Sequence, residues 1–279
     1  MDDNMESPFE HKFIPVTSVM SGLEIDVLPG IYCYTNQVVN VVFMRSGDDW
    51  YVIDAGMPHS ADAIKKAFEA HGGIDAAPKA ILLTHGHFDH VGGIVELVEQ
   101  WQVPVYAHEL EIPFLTGKKD YPEPDPSAEG GMVAKLSKMF PNESIDLKDR
   151  VKPFDPDGMI PGLSEWKWVH TPGHTPGHVS FFRESDRTLI AGDAFVTVRQ
   201  DSLYKVFTQK QEISGPPRYF TTDWQAAWES VKTLESLKPS TAITGHGVPV
   251  SGEELRDGLA LLSRDFEKLA IPDHGRYLH

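Results

Sequence analysis

Ala80-Ile81-Leu82-Leu83-Thr84-His85-Gly86-His87-Phe88-Asp89-His90 runs from four apolar residues straight into four side chains that can bind metal: His85, His87, Asp89 and His90. The apolar run reads as a buried strand. Val91, Ile94, Val95, Val98 and Trp101 follow at spacings of one, three and four, which predicts an amphipathic helix. The cluster therefore falls where a strand turns into a helix, the edge at which open α/β architectures bind ligands. If His85 and His87 continue the strand, they point the same way, because strand side chains repeat every two residues. Asp89 and His90, at the turn, can aim at a second point. One short segment can thus supply half the ligands of a two-metal site.

Upstream, strands are expected at 25–28, 30–35, 38–44 and 50–53, with a hairpin signal at Arg45-Ser46-Gly47-Asp48-Asp49. Asp54-Ala55-Gly56 ends a buried strand, and Ser60 can cap a helix running to about His71. Asp54 reads either as a turn residue or as an acceptor that fixes the ring of a ligand histidine. Its place at the C-terminal end of a strand selects the second. Downstream, Val103 to Ala107 and Leu163 to Val169 read as strands. The Pro- and Gly-interrupted stretch between them, 109–150, reads as an insertion over the site. His170-Thr171-Pro172-Gly173-His174-Thr175-Pro176-Gly177-His178 precedes a strand at 179–182, and the next strand, 188–191, ends in Gly192-Asp193. A second insertion, 196–222, carries Tyr204, Arg218 and Tyr219. A helix at 224–237, a strand at 241–244, the turn Gly245-His246-Gly247 and a helix over about 252–269 complete the chain.

The pattern is duplicated. Each half has a strand ending in an acidic turn (Asp54, Asp193) and a strand leading into a histidine-bearing turn. Two such halves suggest a sheet-on-sheet core covered by helices on both sides, one domain over 1–279.

Composition narrows the function. A formal net charge of -16 argues against nucleic acid and against an anionic membrane, since phosphate binding rests on Lys and Arg. Thirteen histidines are many for 279 residues. Cys33 is the single cysteine, so no internal disulfide forms and no cysteine zinc framework exists. The acidic start lacks the regions of a signal peptide, and no apolar run approaches the roughly 20 residues of a membrane helix. The expectation is a cytoplasmic enzyme with a small-molecule substrate; the insertions and tail offer a surface for a homodimer.

With IDAG at 53–56, THGHFDH at 84–90, TPGHTPGH at 171–178, AGD at 191–193 and TGHG at 244–247, the sequence resembles the metallo-β-lactamase superfamily. All five elements come in the family's order. The resemblance implies an α+β fold, a four-layer αββα sandwich with the site at the edge between the sheets and the two insertions near it. It implies His85, His87 and His174 for a first metal and Asp89, His90 and His246 for a second, with Asp193 bridging both. Asp54 matches the family's aspartate behind the ligands. His178 either packs beside the site or hydrogen-bonds a ligand.

Two cations sharing a water lower its pKa toward neutrality, so hydroxide is available without a strong protein base. Asp89 is the group expected to shuttle a proton. Zinc is the default ion, and manganese, iron and cobalt suit the same nitrogen and oxygen donors. The expected reaction is hydrolysis of an acyl ester, lactone or thioester. The alternatives within the same superfamily are a phosphodiesterase or nuclease and a mononuclear-iron sulfur dioxygenase. The HxHxDH form resembles the lactonase and glyoxalase II branches and departs from both. Position 196 is Val where the lactonases carry a tyrosine, and only about thirty residues follow His246, where glyoxalase II has a longer helical region. Tyr204, Arg218 and Tyr219 are candidates for orienting substrate.

Overall fold

The computed structural model describes residues 4–9, 17–128, 135–198, 207 and 211–278. These fall into two compact units, one within Met1–Tyr121 and Pro141–Phe154, the other within Pro122–Phe140 and Asp155–His279.

The first unit is a seven-stranded mixed sheet in sequence order. Its strands are β1 (Glu24–Leu28), β2 (Ile31–Asn36), β3 (Val39–Ser46), β4 (Asp49–Ile53), β5 (Ala80–Leu82), β6 (Val105–Ala107) and β7 (Val151–Pro153). Hairpins make β1 to β4 antiparallel, and β4 to β7 are parallel. The helices are α1 (Ala61–Gly72), the short α2 (Phe88–Val91), α3 (Ile94–Trp101) and the short α4 (Ile112–Leu115). A 12-residue helix is marginal alone, so α1 depends on its buried stripe of Ala61, Ile64 and Phe68. Phe68 meets Phe43 of β3, Trp50 of β4 and Trp101 of α3 edge-on, with centroids 5.7, 6.1 and 5.3 Å away. Burying that one ring contributes about 2–3 kcal/mol.

The expected insertion at 109–150 has a structural use. It is the crossover that two parallel strands require, here between β6 and β7. Its ends are fastened to each other: Gly117 donates to the Ile145 carbonyl and Leu147 to that of Leu115, at 2.8 and 2.9 Å. β7 escaped the sequence reading because three residues ending in Pro153 carry too little periodicity; a proline is tolerated there because the strand lies at the sheet edge.

The second unit holds a five-stranded sheet in the order β14-β13-β10-β9-β8, from β8 (Trp166–His170), β9 (Val179–Arg183), β10 (Thr188–Gly192), β13 (Thr241–Thr244) and β14 (Val250–Ser251). Only β10 and β13 are parallel. β11 (Val196–Val198) and β12 (Gln211–Ser214) form a separate ribbon. The helices are α5 (Trp224–Ser236), α6 (Gly252–Arg264) and the short α7 (Phe266–Leu269). Ala227, Val231 and Leu234 of α5 and Leu255, Leu259 and Leu262 of α6 share a core with Leu189, Ala191 and Ala242 of the sheet. The single helix expected over 252–269 breaks at Asp265, whose backbone (φ -111°, ψ 28°) leaves the helical region. The strand expected from Leu163 starts at Trp166, because a turn in which Leu163 N–H donates to Ile160 comes first. No helix among the described residues is long and apolar enough to cross a membrane.

Candidate metal centre

Parallel strands bring their C-terminal ends side by side, and each unit uses one such pair. In the first, Asp54 follows β4 and the histidine turn follows β5. In the second, Asp193 follows β10 and His246 follows β13.

Asp54 is the anchor of the first unit. It sits at φ +63°, a left-handed conformation that aspartate tolerates at a cost on the order of 1 kcal/mol. Its buried carboxylate accepts three hydrogen bonds: Oδ1 from Thr84 N–H at 2.8 Å, Oδ2 from the Thr84 hydroxyl and from His90 Nδ1, both at 2.8 Å. The proton positions follow. His90 carries its proton on Nδ1, so its Nε2 holds the lone pair. The Thr84 hydroxyl proton is committed to Asp54, so its oxygen accepts from His85 Nδ1 at 3.0 Å. His85 therefore also presents Nε2. One carboxylate thus fixes the tautomers of two histidines, as carboxylates behind metal-bound histidines do. The backbone joins the two turns as well, with Ala55 N–H donating to His90 O at 2.7 Å. The ligand atoms of His85 and His87, of His85 and His90, and of Asp89 and His90 lie within 4.8 Å of one another.

His87 is oriented differently. Its ring lies 4.5 Å from that of Tyr121, which stacks on Phe114 at 4.0 Å. The Tyr121 hydroxyl donates to the buried Glu111 carboxylate, and both oxygens accept from Gly86 N–H at 3.0 Å. Burial, and then the neighbouring Glu111 charge, push the Tyr121 phenol well above its ordinary value, so it stays a donor.

In the second unit, His174 lies in the turn between β8 and β9. Gly173 has φ +129°, and a Cβ there would sit 2.3 Å from Ala227 N, so only glycine lets this turn rest on α5. His174 Nδ1 lies 3.3 Å from the Thr221 hydroxyl, whose own proton goes to the Pro217 carbonyl. His174 is thereby a donor at Nδ1 and presents Nε2. His178 resolves in the same way. Ser180 donates to Ala191 O, Thr171 to Ser180, and His178 Nδ1 to Thr171, leaving His178 Nε2 to accept from Asp193 N–H at 2.9 Å. His178 thus holds the backbone of Asp193.

Asp193 Oδ2 stands 3.4 Å from His174 Nε2 and 3.4 Å from His246 Nε2. Metal–nitrogen and metal–oxygen bonds of about 2.0–2.2 Å in tetrahedral geometry separate neighbouring ligand atoms by about 3.3–3.5 Å. These spacings therefore suit the binding of a divalent cation at this carboxylate.

Thr84, Glu111, Tyr121, Thr171, Ser180 and Thr221 were not singled out by sequence. Most of them reach their partners across 25 to 47 positions. Gly86 is the one trace: a glycine between two strand-like histidines signals a close approach, and a Cβ there would sit 2.6 Å from Tyr121 Oη. Of the residues expected to orient substrate, Tyr204 lies outside the described residues. Arg218 donates from Nε to Ala270 O and from Nη2 to Leu269 O, which ties it to the end of α7. Tyr219 is buried between Phe140 and Phe220.

Residues 34–246 match the model of the metallo-beta-lactamase superfamily. The chain is 46% identical over 254 residues to the probable metallo-hydrolase YflN of Bacillus subtilis, covering 90% of this chain and 96% of that protein. It is 31% identical over 122 residues to the hydroxyacylglutathione hydrolase GloC of Haemophilus influenzae, which is 43% of this chain and 51% of that one. Among solved structures, TTHA1623 in a di-iron-bound form superposes with a TM-score of 0.54 at 29% identity, over 81% of this chain and 92% of that one. The chain belongs to the metallo-β-lactamase superfamily and is one of its hydrolases.

Proposed function

We propose that the two half-sites close into one dinuclear centre that hydrolyses an acyl ester, lactone or thioester of a small molecule. His85, His87 and His174 would hold one ion, Asp89, His90 and His246 the other, and Asp193 both. The observation that carries this reading is the position of Asp193 Oδ2, equidistant at 3.4 Å from two histidine nitrogens whose separate turns present them to it. Bound ions supply Lewis acidity, lowering the pKa of a water and polarising the acyl oxygen.

The chain's own groups do the rest. Asp54, Thr84 and Thr221 keep Nδ1 protons on His90, His85 and His174, so the ligand nitrogens stay basic. His178 keeps Asp193 in place through its amide. Asp89, at 9% exposure the least buried of the seven, would carry a proton toward the leaving group. The acyl bond is supported by GloC, whose named substrate carries an acyl group on glutathione. Zinc suits the donors, and the di-iron form of TTHA1623 supports iron as the alternative.

Elemental analysis of the purified protein, paired with turnover of one lactone and one thioester, tests the proposal. Two ions per chain and turnover that Asp193→Ala abolishes are expected. A fully metallated sample inert toward esters, lactones and thioesters alike would refute it.

A further inference from the structure

Glu111 and Tyr121 form a buried acid–phenol pair that grips the histidine turn at Gly86. Glu111 is fully buried and Tyr121 is 4% exposed, in a chain whose other acidic residues lie mostly at the surface. Burying a carboxylate costs several kcal/mol unless donors surround it. The Tyr121 hydroxyl and the Gly86 amide are two such donors. That amide is the peptide N–H between His85 and His87, and it is gripped by two oxygens at once. Both oxygens come from the β6–β7 crossover, 25 and 35 residues downstream. The Tyr121 ring then continues onto the His87 ring at 4.5 Å, and Leu115 stands 3.0 Å from where a Gly86 side chain would be. Asp54 reaches His85 through Thr84 and reaches His90 directly. Glu111 and Tyr121 act on the Gly86–His87 side of the turn.

We infer that Glu111 and Tyr121 are positioning residues for the first of the two ions: through the Gly86 amide and the His87 ring they set the separation of the His85 and His87 ligand nitrogens. This rests on the dinuclear reading above. The crossover therefore builds the metal site from behind. It predicts that the two ions differ in their dependence on it, because His90, a ligand of the second ion, is held at Nδ1 by Asp54.

The test uses the full chain stripped of metal and titrated with Co2+ alone, followed by visible absorption and by calorimetry. Wild type should take up two Co2+ per chain. Glu111→Gln keeps the size of the side chain and an oxygen for Gly86 but loses the charge. It should weaken one Co2+ site about 10–100-fold and shift its absorption bands, leaving the other site within about twofold. Tyr121→Phe, which keeps the ring and loses the hydroxyl, should weaken the same site by a smaller factor, and it stands in should Glu111→Gln fail to fold. Circular dichroism and melting temperature report whether each variant is native. Two wild-type sites with native variants of unchanged Co2+ affinity and spectrum would overturn the inference and leave the dinuclear reading standing. Equal weakening of both sites, in step with a lowered melting temperature, would also overturn it, by showing a general structural role. A wild-type chain that binds no Co2+ would overturn the dinuclear reading and this inference together.

Discussion

The two units assemble their candidate ligands by opposite routes. The first unit puts four candidate ligand residues into six consecutive positions, and a single carboxylate, Asp54, orders two of them. The second unit draws three candidate ligands from three separate turns, and each has its own neighbour: Thr221 for His174, His178 for Asp193, and for His246 the hydroxyl of Thr244, which donates to its carbonyl. A compact motif concentrates dependence on one buried group, and a dispersed one spreads it. The two units should therefore respond differently to mutation.

Asp193→Ala should have the largest effect, a fall in kcat/KM of at least about a thousand-fold, since it removes the one oxygen that faces two histidine nitrogens. Residual activity within tenfold of wild type would break the equivalence of the two histidines around it. Asp54→Asn comes next. The amide has only one oxygen, so it cannot accept from Thr84 N–H, the Thr84 hydroxyl and His90 together as the two carboxylate oxygens do, and both tautomers loosen. Metal affinity and kcat should fall about 10–100-fold, measured by competition with a chelating dye. Thr221→Val disturbs only His174 and should cost about tenfold or less in the same assay. If Thr221→Val proved as damaging as Asp54→Asn, the contrast between concentrated and dispersed support would be lost.

The smallest effect concerns Cys33, on β2 of the first unit, which reports on that unit alone. Burial, with a lesser push from Glu24, raises its thiol from 9.0 to about 12. The folded thiol keeps its proton where the unfolded one loses it. This contribution to stability is complete below about pH 9 and declines as pH rises toward 12, at no more than about 1.4 kcal/mol per pH unit. Urea unfolding at pH 8 and pH 10 should show a decline that Cys33→Ala reduces. A thiol reagent at pH 8 should label Cys33 only as fast as the first unit opens.

The legibility of the sequence follows the same division. THGHFDH declares itself because its ligands are neighbours in the chain, and Asp54 could be read because it ends a clear strand. His174, Asp193 and His246 each sit just after a β-like run, which marks them as candidates, and the family pattern joins them to the early cluster. The groups that orient the histidines were not legible. Thr221 looks like any loop threonine, and Glu111 and Tyr121 sit in a stretch whose prolines and glycines suggested a covering insertion. Their partners are set by a crossover between parallel strands, and nothing periodic in the sequence encodes where a crossover returns. His178, ambiguous as a motif residue, became definite once the hydroxyl chain through Thr171 and Ser180 fixed its proton.

Anomalous X-ray scattering from a crystal of the zinc-loaded chain tests the central claim most directly. Two peaks are predicted, one held by His85, His87 and His174 and the other by Asp89, His90 and His246, with the Asp193 carboxylate reaching both. A single peak, or peaks ligated from one unit alone, would contradict the account.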